Sequence, residues 1–182
     1  MTTPSSAATG HAVAGTGSAD MCEHCGCRGV PPIAELMDEH MALTGQAHFV
    51  RQELGAGKPA AAMALLAELV AHLDRHVQRE EAGIFRAMRD SGEFLDEIDG
   101  LEGEHRVLAA AVAVLDPESP DFAARVTHLL DDLDAHVERE DLGIFPVSVV
   151  TLGAPGWAIV DEAHTESPSF LLDQPATASS PA

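Results

Sequence analysis

The chain carries one short motif in two places, and this repeat restricts its possible folds more than any other feature. Residues 73–85 (LDRHVQREEAGIF) and 133–145 (LDAHVEREDLGIF) stand at an offset of 60 and agree at 9 of 13 positions. A related pair precedes them, LMDEHMAL at 36–43 and LEGEHRVL at 101–108. Each half of the chain therefore has an EH segment followed by an HxxxE segment that ends in GIF. Duplication of a helical hairpin would produce this order, with the two copies facing each other across a pseudo-twofold axis.

Apolar residues recur at spacings of three and four along four segments, which is the period of one face of an α-helix. Breaks that contain Gly and Pro separate these segments. The pattern predicts an all-α fold, an antiparallel four-helix bundle of two duplicated helical hairpins. A short fifth helix at about 154–164, packing Trp157, is expected to follow. The four segments span about 32–54, 59–89, 93–115 and 120–150.

The bundle pattern covers the middle of the chain. Residues 1–31 begin with Ser, Thr, Ala and Gly and end in a Cys cluster, so we expect a disordered tail there. We expect the bundle domain at 32–165 and a flexible tail at 166–182. Met21, where the composition changes, is an alternative start. Because no basic region precedes an apolar block, we expect no signal peptide. The three Cys are odd in number and too close together for a disulfide scaffold, so we expect a reducing cytoplasm.

The charge balance argues against two classes of partner. Asp and Glu number 30 against 10 Lys and Arg, which gives a formal charge of −20. Such a chain repels nucleic acid and anionic membrane. The uncharged stretch 142–160 is interrupted by Gly and Pro, which favours packed sequence over a membrane span. We expect no nucleic-acid or membrane partner, and a monomer or a weak homo-oligomer.

Each apolar stripe contains a His, and two of them also contain a Glu, although buried ionisable groups are costly unless they are paired or bound to metal. His and Glu at i and i+4 stand one turn apart on the same helix face. Imidazole and carboxylate without thiolate favour Fe, then Mn or Zn, and a carboxylate can bridge two ions. This pattern predicts a carboxylate-bridged dinuclear metal site; buried His–Glu hydrogen bonds and a surface ion-pair stripe are the alternatives. The six candidate ligands are His40, His76, Glu80, His105, His136 and Glu140.

The order of these motifs closely resembles the hemerythrin-like family of HHE cation-binding proteins, over roughly residues 33–150. The resemblance implies a four-helix bundle around a non-haem di-iron centre, with two Fe ions as cofactors. Members of the family bind O2, sense iron or redox state, or act on peroxide or nitric oxide. The matching residues are His40 in DEH, His76 and Glu80 in HVQRE, His105 in GEH, and His136 and Glu140 in HVERE, with GIF after each HxxxE motif.

The chain departs from the oxygen-carrying hemerythrins on the third helix, where they place two His one turn apart. Here Leu101 and Ala109 stand one turn on either side of His105, so the set is one His short. One more coordination position on iron is therefore expected to be open to a small ligand. Those proteins also place an Asp five residues after the fourth-helix His; Asp141 occupies that spacing, whereas Glu140 mirrors Glu80. Both remain candidates, and the symmetry of the repeat favours Glu140.

An open position favours the exchange of water, peroxide or NO at iron over reversible carriage of O2. We therefore expect a di-iron protein that binds or reacts with small oxidants (H2O2, O2 or NO). Peroxide disproportionation is the favoured reaction, so the protein would be an enzyme of catalase-like or other di-iron oxidoreductase activity. The alternative is a non-catalytic iron, oxygen or redox sensor or storage module.

Two pairs of repeated residues flank the candidate ligands. Glu39 and Glu104 precede ligand His residues and lie about 100° away around the helix. They are either bridging or supporting acids, or solvated charges. Phe85 and Phe145 are expected to close the apolar end of the site.

Other His residues have competing interpretations. His72 lies one turn before His76 and either supports the ligands or belongs to the helix surface. His48 and His164 are further ligand candidates, the second by folding back over one end of the bundle. His128 is expected on the bundle surface.

The cluster CEHCGC at 22–27 offers Cys22, His24, Cys25 and Cys27. Three Cys within six residues are too few and too close for a disulfide framework. The alternatives are a Zn site, a redox-active or exposed thiol pair, and incidental flexible cysteines. A thiol-linked switch with the bundle as its scaffold would be a different function from iron chemistry.

If the cluster is peripheral to the bundle, the triple variant Cys22→Ser, Cys25→Ser, Cys27→Ser should keep the iron content of the wild type. The reason is that no thiolate belongs to the predicted ligand set. Metal analysis of the two purified proteins measures this. Loss of iron from the variant would mean that the cluster takes part in the site.

Overall fold

The computed structural model describes residues 26–173, which are helical and contain no strand. The prediction of an all-α bundle with a short fifth helix is confirmed. Segments 1–25 and 174–182, which include Met21, Cys22, His24 and Cys25, lie outside the described residues. Short 3₁₀ turns stand at Cys27–Gly29 and Phe170–Leu172. The helices are α1 (Pro31–Gly55), α2 (Pro59–Glu80, continued by a π turn Glu81–Phe85 and by Arg86–Ser91), α3 (Leu95–Ala113), α4 (Phe122–Arg139, continued by a π turn Glu140–Ile144 and by Phe145–Thr151) and α5 (Ala154–Glu166).

Local sequence explains where the helices begin and end. Pro31 and Pro59 open α1 and α2, where a missing N–H costs nothing because the first turn has no partner for it. Gly92 closes α2 in the left-handed conformation, with φ of 77°. Within α5, Pro155 stands in the first turn.

The apolar residues form two clusters, one towards each end of the bundle. One cluster includes Met37, Phe85 and Phe145, and Trp157 of α5 packs against it, as expected. The other includes Leu66 and Leu133. The His and Glu residues of the stripes lie along the helices between these clusters, so a polar layer is enclosed by apolar layers. The domain limits expected at 31 and 165 stay a prediction, although Phe170 beyond them is buried and stacks on a bundle residue.

Both π turns fall directly at the repeated Glu, which the sequence pattern did not reveal. A π turn bonds i to i+5, so Glu80 and Phe85, five residues apart, lie on the same side of the helix. The same holds for Glu140 and Phe145 in the second copy. Each π turn therefore presents the carboxylate and the aromatic ring to the interior together, and all four side chains are buried.

The fifth helix packs against the π turn of α2, and a glycine permits this contact. A Cβ on Gly83 would lie 3.3 Å from the Cβ of Ala163 and 3.6 Å from the Cα of Val160. The equivalent Gly143 has no such neighbour within 4 Å of a Cβ. One copy of the repeat is therefore covered by α5, and the other is not.

Two further features bear on the expectations above. Cys27 is buried in the first apolar cluster and is disulfide-bonded. In the described part of the chain, none of the helices has the length and apolar character that a membrane span needs.

We expect Gly83→Val to destabilise the fold and Gly143→Val to be nearly neutral. Both changes put the same side chain into the same repeat position, but only the first collides with α5. Overpacking of this kind costs about 1–3 kcal/mol in the free energy of unfolding. Denaturant unfolding of the two variants measures the difference. Equal destabilisation would contradict the packing described for α5.

Candidate metal centre

The six candidate ligands lie together in the polar layer. Helices α1 and α3 each contribute one His, and α2 and α4 each contribute a His and a Glu one turn apart. The two carboxylates lie between the four rings, and all six side chains are buried. Ligand atoms within 4.8 Å of one another fall into two groups: His40, His76, Glu80 and Glu140, and Glu80, His105, His136 and Glu140.

The inner nitrogens of the rings point at the two carboxylates. His76 Nε2 lies 3.0 Å from Glu80 Oε1, and His136 Nε2 lies 3.2 Å from Glu140 Oε1. His40 Nε2 is 3.2 Å from the second Glu140 oxygen and 3.6 Å from Glu80 Oε1. His105 Nε2 completes the arrangement at 3.6 Å from Glu80 Oε2. Both carboxylates are thus shared between the two pairs of His.

These contacts suit the donors of a metal ion better than a set of hydrogen bonds. Both oxygens of Glu80 and of Glu140, and the Nε2 atoms of His40 and His76, are buried without a hydrogen-bond partner. Buried polar atoms are normally satisfied, and four orphaned carboxylate oxygens in one layer would be costly. Imidazole nitrogens and carboxylate oxygens around one centre suit a transition-metal ion. The donor set therefore fits a metal centre.

A carboxylate holds the outer nitrogen of every ring. His76 Nδ1 lies 2.7 Å from Glu39 Oε2, and His136 Nδ1 lies 2.8 Å from Glu104 Oε2. A second pair crosses between the hairpins: His40 Nδ1 lies 2.9 Å from Asp141 and His105 Nδ1 lies 2.9 Å from Glu81. A carboxylate at Nδ1 fixes the tautomer and leaves the Nε2 lone pair free for a metal.

This outer layer decides several alternatives left open by the sequence. Glu39 and Glu104 are not solvated charges, because each bonds a ring and also an Arg, Arg79 and Arg139 respectively. Asp141 bonds the outer nitrogen of His40, so the geometry favours Glu140 in the inner layer.

Two members of the outer layer were missed by the sequence reasoning. Glu81 was not considered, and Asp141 was considered only as a ligand. The signal was present, since an acid directly follows the inner Glu in both copies, as EE at 80–81 and ED at 140–141. The π turn directs these acids across to the other hairpin.

The remaining His residues do not belong to the two groups of candidate ligands. His48 is exposed, and its ring lies 2.9 Å from the Gln52 side chain. His128 pairs with Asp132 on the bundle surface, where it was expected. His72 lies 2.9 Å from Gln46 and stacks on Phe170 at 4.6 Å, so it does not support the centre. His164 lies on α5 and accepts from Arg79 at 2.8 Å, which places it one layer behind Glu39.

Aromatic rings close the apolar side of the centre. Phe145 stacks on His40 with centroids 5.5 Å apart and planes 10° apart. Phe85 stacks on His105 at 5.8 Å and 12°. Both Phe side chains are buried, and they restrict the ring orientation of one His in each pair.

Without a cation, the centre balances its charge with protons. Burial raises the pKa of Glu140, but His105, His136 and His40 outweigh it and hold that pKa well below the ordinary value. Burial lowers the pKa of His136, but Glu140 and then Glu104 outweigh it and raise that pKa to about 9. Burial lowers the pKa of His40, yet Asp141 and Glu140 keep it well above the ordinary value. With these pKa values, His136 is protonated beside an ionised Glu140 at neutral pH when no metal is bound.

A family comparison agrees with this arrangement. The family model described as hemerythrin, HHE cation binding domain, matches residues 31–148, which cover α1 to nearly the end of α4. Neither the curated proteins nor the solved structures contain a match to the chain.

We expect the metal-free protein to release protons when it binds a divalent cation. The raised pKa of His136 means that this ring is protonated at about pH 7, and a ring must lose its inner proton before it can bind metal. The release should be large at about pH 7 and should shrink above the His136 pKa of about 9. Zn²⁺ or anaerobic Fe²⁺ titrated into weakly buffered protein with a pH dye measures it.

His136→Ala should release fewer protons at neutral pH, and His128→Ala, on the surface, is the matched control. A release that is absent, or that does not change between about pH 7 and pH 10, would contradict protonated rings in the metal-free layer.

Proposed function

Because the chain belongs to the hemerythrin HHE cation-binding domain family, we propose that its bundle holds two iron ions that bind and react with small uncharged oxidants. Disproportionation of H2O2 is the reaction we favour. The observation that carries the proposal is the pair of buried carboxylates shared between two pairs of His.

The donor set supports two ions of the same kind. Each group supplies two imidazole nitrogens, from His40 and His76 or from His105 and His136, together with the shared Glu80 and Glu140. A carboxylate has one oxygen for each of two ions, and every distance within a group is short enough for a common centre. Imidazole with carboxylate and without thiolate suits Fe, with Mn and Zn as competitors.

The ligand count leaves room for a substrate. Four protein donor atoms in each group are fewer than the six positions of an octahedral ion. No third His compensates, because Ala109 stands one turn after His105. At least one position per ion is then available to water or to another small molecule.

Two irons that share carboxylates exchange two electrons in total, which matches the conversion of two H2O2 into O2 and two H2O. The chain's own residues keep the site suited to this. The outer carboxylates hold each ring in one tautomer, and Phe85 and Phe145 exclude bulk water from one side. The chain contains no Tyr, so no phenol ring beside the centre can be oxidised in a side reaction.

The test is the release of O2 from H2O2, measured with an oxygen electrode on protein of known iron content. We expect a rate well above that of free iron at equal concentration. Glu80→Ala and Glu140→Ala should each abolish most of it, since each removes a shared carboxylate. Glu138→Ala, an exposed change on the same helix, should leave the rate unchanged.

Two outcomes would reject turnover. One is a rate equal to that of free iron, and the other is a rate that Glu80→Ala and Glu140→Ala do not alter. If the wild type nevertheless carries two irons, the function that remains is a sensor or a store of iron without turnover. If it carries none, the di-iron proposal itself fails.

A further inference from the structure

The two proposed metal positions have the same types of ligand, two His and the two shared Glu, but their surroundings differ. Behind His76, Glu39 and Arg79 are both fully buried. Arg79 also bonds Glu35 and donates to His164 of α5. Burial and the charge of Arg79 lower the pKa of His164, which keeps its ring neutral and able to accept. This side of the centre is sealed by α5.

The His105–His136 side has no such cover. The equivalent Glu104 is 29% exposed and Arg139 is 48% exposed. Glu81, which holds His105, is 41% exposed. The cause is the difference between the glycines, since α5 rests on Gly83 and leaves Gly143 without a neighbour. The charged residues behind the His105–His136 position are therefore more exposed than those behind His40 and His76, where Asp141 at 23% is the most exposed acid that holds either ring.

A cavity with both exposed and buried residues in its lining reaches His105 of the less covered position. Its volume is about 90 Å³, and it lies between α2, α3 and α4 with His105 in its wall. Asp74 and Ala109 are exposed and lie at its mouth, whereas buried leucines such as Leu133 line its inner part. A water molecule takes about 30 Å³ of liquid, so the space suits a molecule of two to four atoms.

The small side chain one helical turn after His105 leaves room for the cavity. Ala109 stands one turn along α3 from His105 and contributes only a methyl group to the wall. A larger side chain there would occupy the space beside the ring. The missing third His is thus replaced by an opening, at the same ring that lacks the cover of α5.

The chemistry of the cavity selects uncharged molecules. Apart from His105, Asp74 is the one polar residue in its lining. A carboxylate at the mouth, on a chain with a formal charge of −20, disfavours anions. Apolar walls add a desolvation cost for any charged species.

We propose that small uncharged ligands, such as NO, O2 and H2O2, reach the centre through this cavity and bind at the His105–His136 position. The sealed His40–His76 position keeps its ion and exchanges ligands slowly. This inference rests on the proposed di-iron function, because it requires a metal next to His105.

The first test is the rate of NO binding to the ferrous holoprotein, followed by stopped-flow absorbance. Ala109→Leu fills the cavity, and Ala110→Leu is the matched control on the exposed face of α3 outside the lining. We expect Ala109→Leu to slow NO association by about tenfold or more, which corresponds to about 1.4 kcal/mol on the barrier. Ala110→Leu should bind NO at the wild-type rate.

Iron content is measured on all three proteins, so that a failure of the proposed function is recognised by itself. Two irons with equal NO rates in all three would overturn the access route and leave the di-iron centre intact. Absence of iron from the wild type would instead contradict the proposed di-iron function.

The second test does not depend on iron. Xenon binds dry apolar cavities, so crystals of wild type and Ala110→Leu held under xenon should show an atom beside His105. Ala109→Leu should show none. No xenon in the wild type, or xenon retained in Ala109→Leu, would overturn the proposal that this cavity receives small uncharged molecules.

Discussion

Six polar side chains share the middle of the bundle between two apolar clusters, and the rest of the structure depends on how their charges are compensated. Two buried carboxylates without hydrogen bonds, beside four imidazoles, would be costly in a medium that cannot solvate them. The carboxylates raise the pKa of the rings beside them, which favours protonated rings when no metal is bound, and two divalent cations would compensate the charge more completely. Either way, compensation requires all four helices in register, because each one contributes a ligand. The layer thus couples the binding of a cation to the packing of the bundle.

The outer layer explains why a duplicated hairpin suits this task. Within a hairpin, an acid on the first helix holds the His of the second, as Glu39 holds His76. Between hairpins, the acid after the inner Glu holds the first-helix His of the other copy, as Asp141 holds His40. Both kinds of contact occur in both copies, so one repeated sequence pattern orients all four rings. The two copies differ in their surroundings. Helix α5 covers one copy through the contact between Arg79 and His164, whereas Glu104 and Arg139 of the other copy are partly exposed.

Much of this could be predicted from the sequence, because the repeat and the helical period report directly on the backbone and on the inward face. The four helices and the grouping of six polar residues on inward faces follow from apolar spacings of three and four and from the repeated motifs. The π turns could not be predicted, since their effect is a shift of one residue that leaves the apolar pattern intact. The role of Glu81 depends on that shift. The seal of Arg79 by His164 could not be predicted either, because it joins residues 85 apart whose contact requires the close approach of α5 at Gly83.

The central claim is that the two groups of donors hold two metal ions that share Glu80 and Glu140. Anomalous diffraction at the iron absorption edge, from crystals of iron-loaded protein, tests it most directly. The account predicts two peaks within the bundle, one beside His40 and His76 and the other beside His105 and His136, each in contact with both carboxylates. A single peak, or an empty layer in which the rings and carboxylates pair through hydrogen bonds, would contradict it.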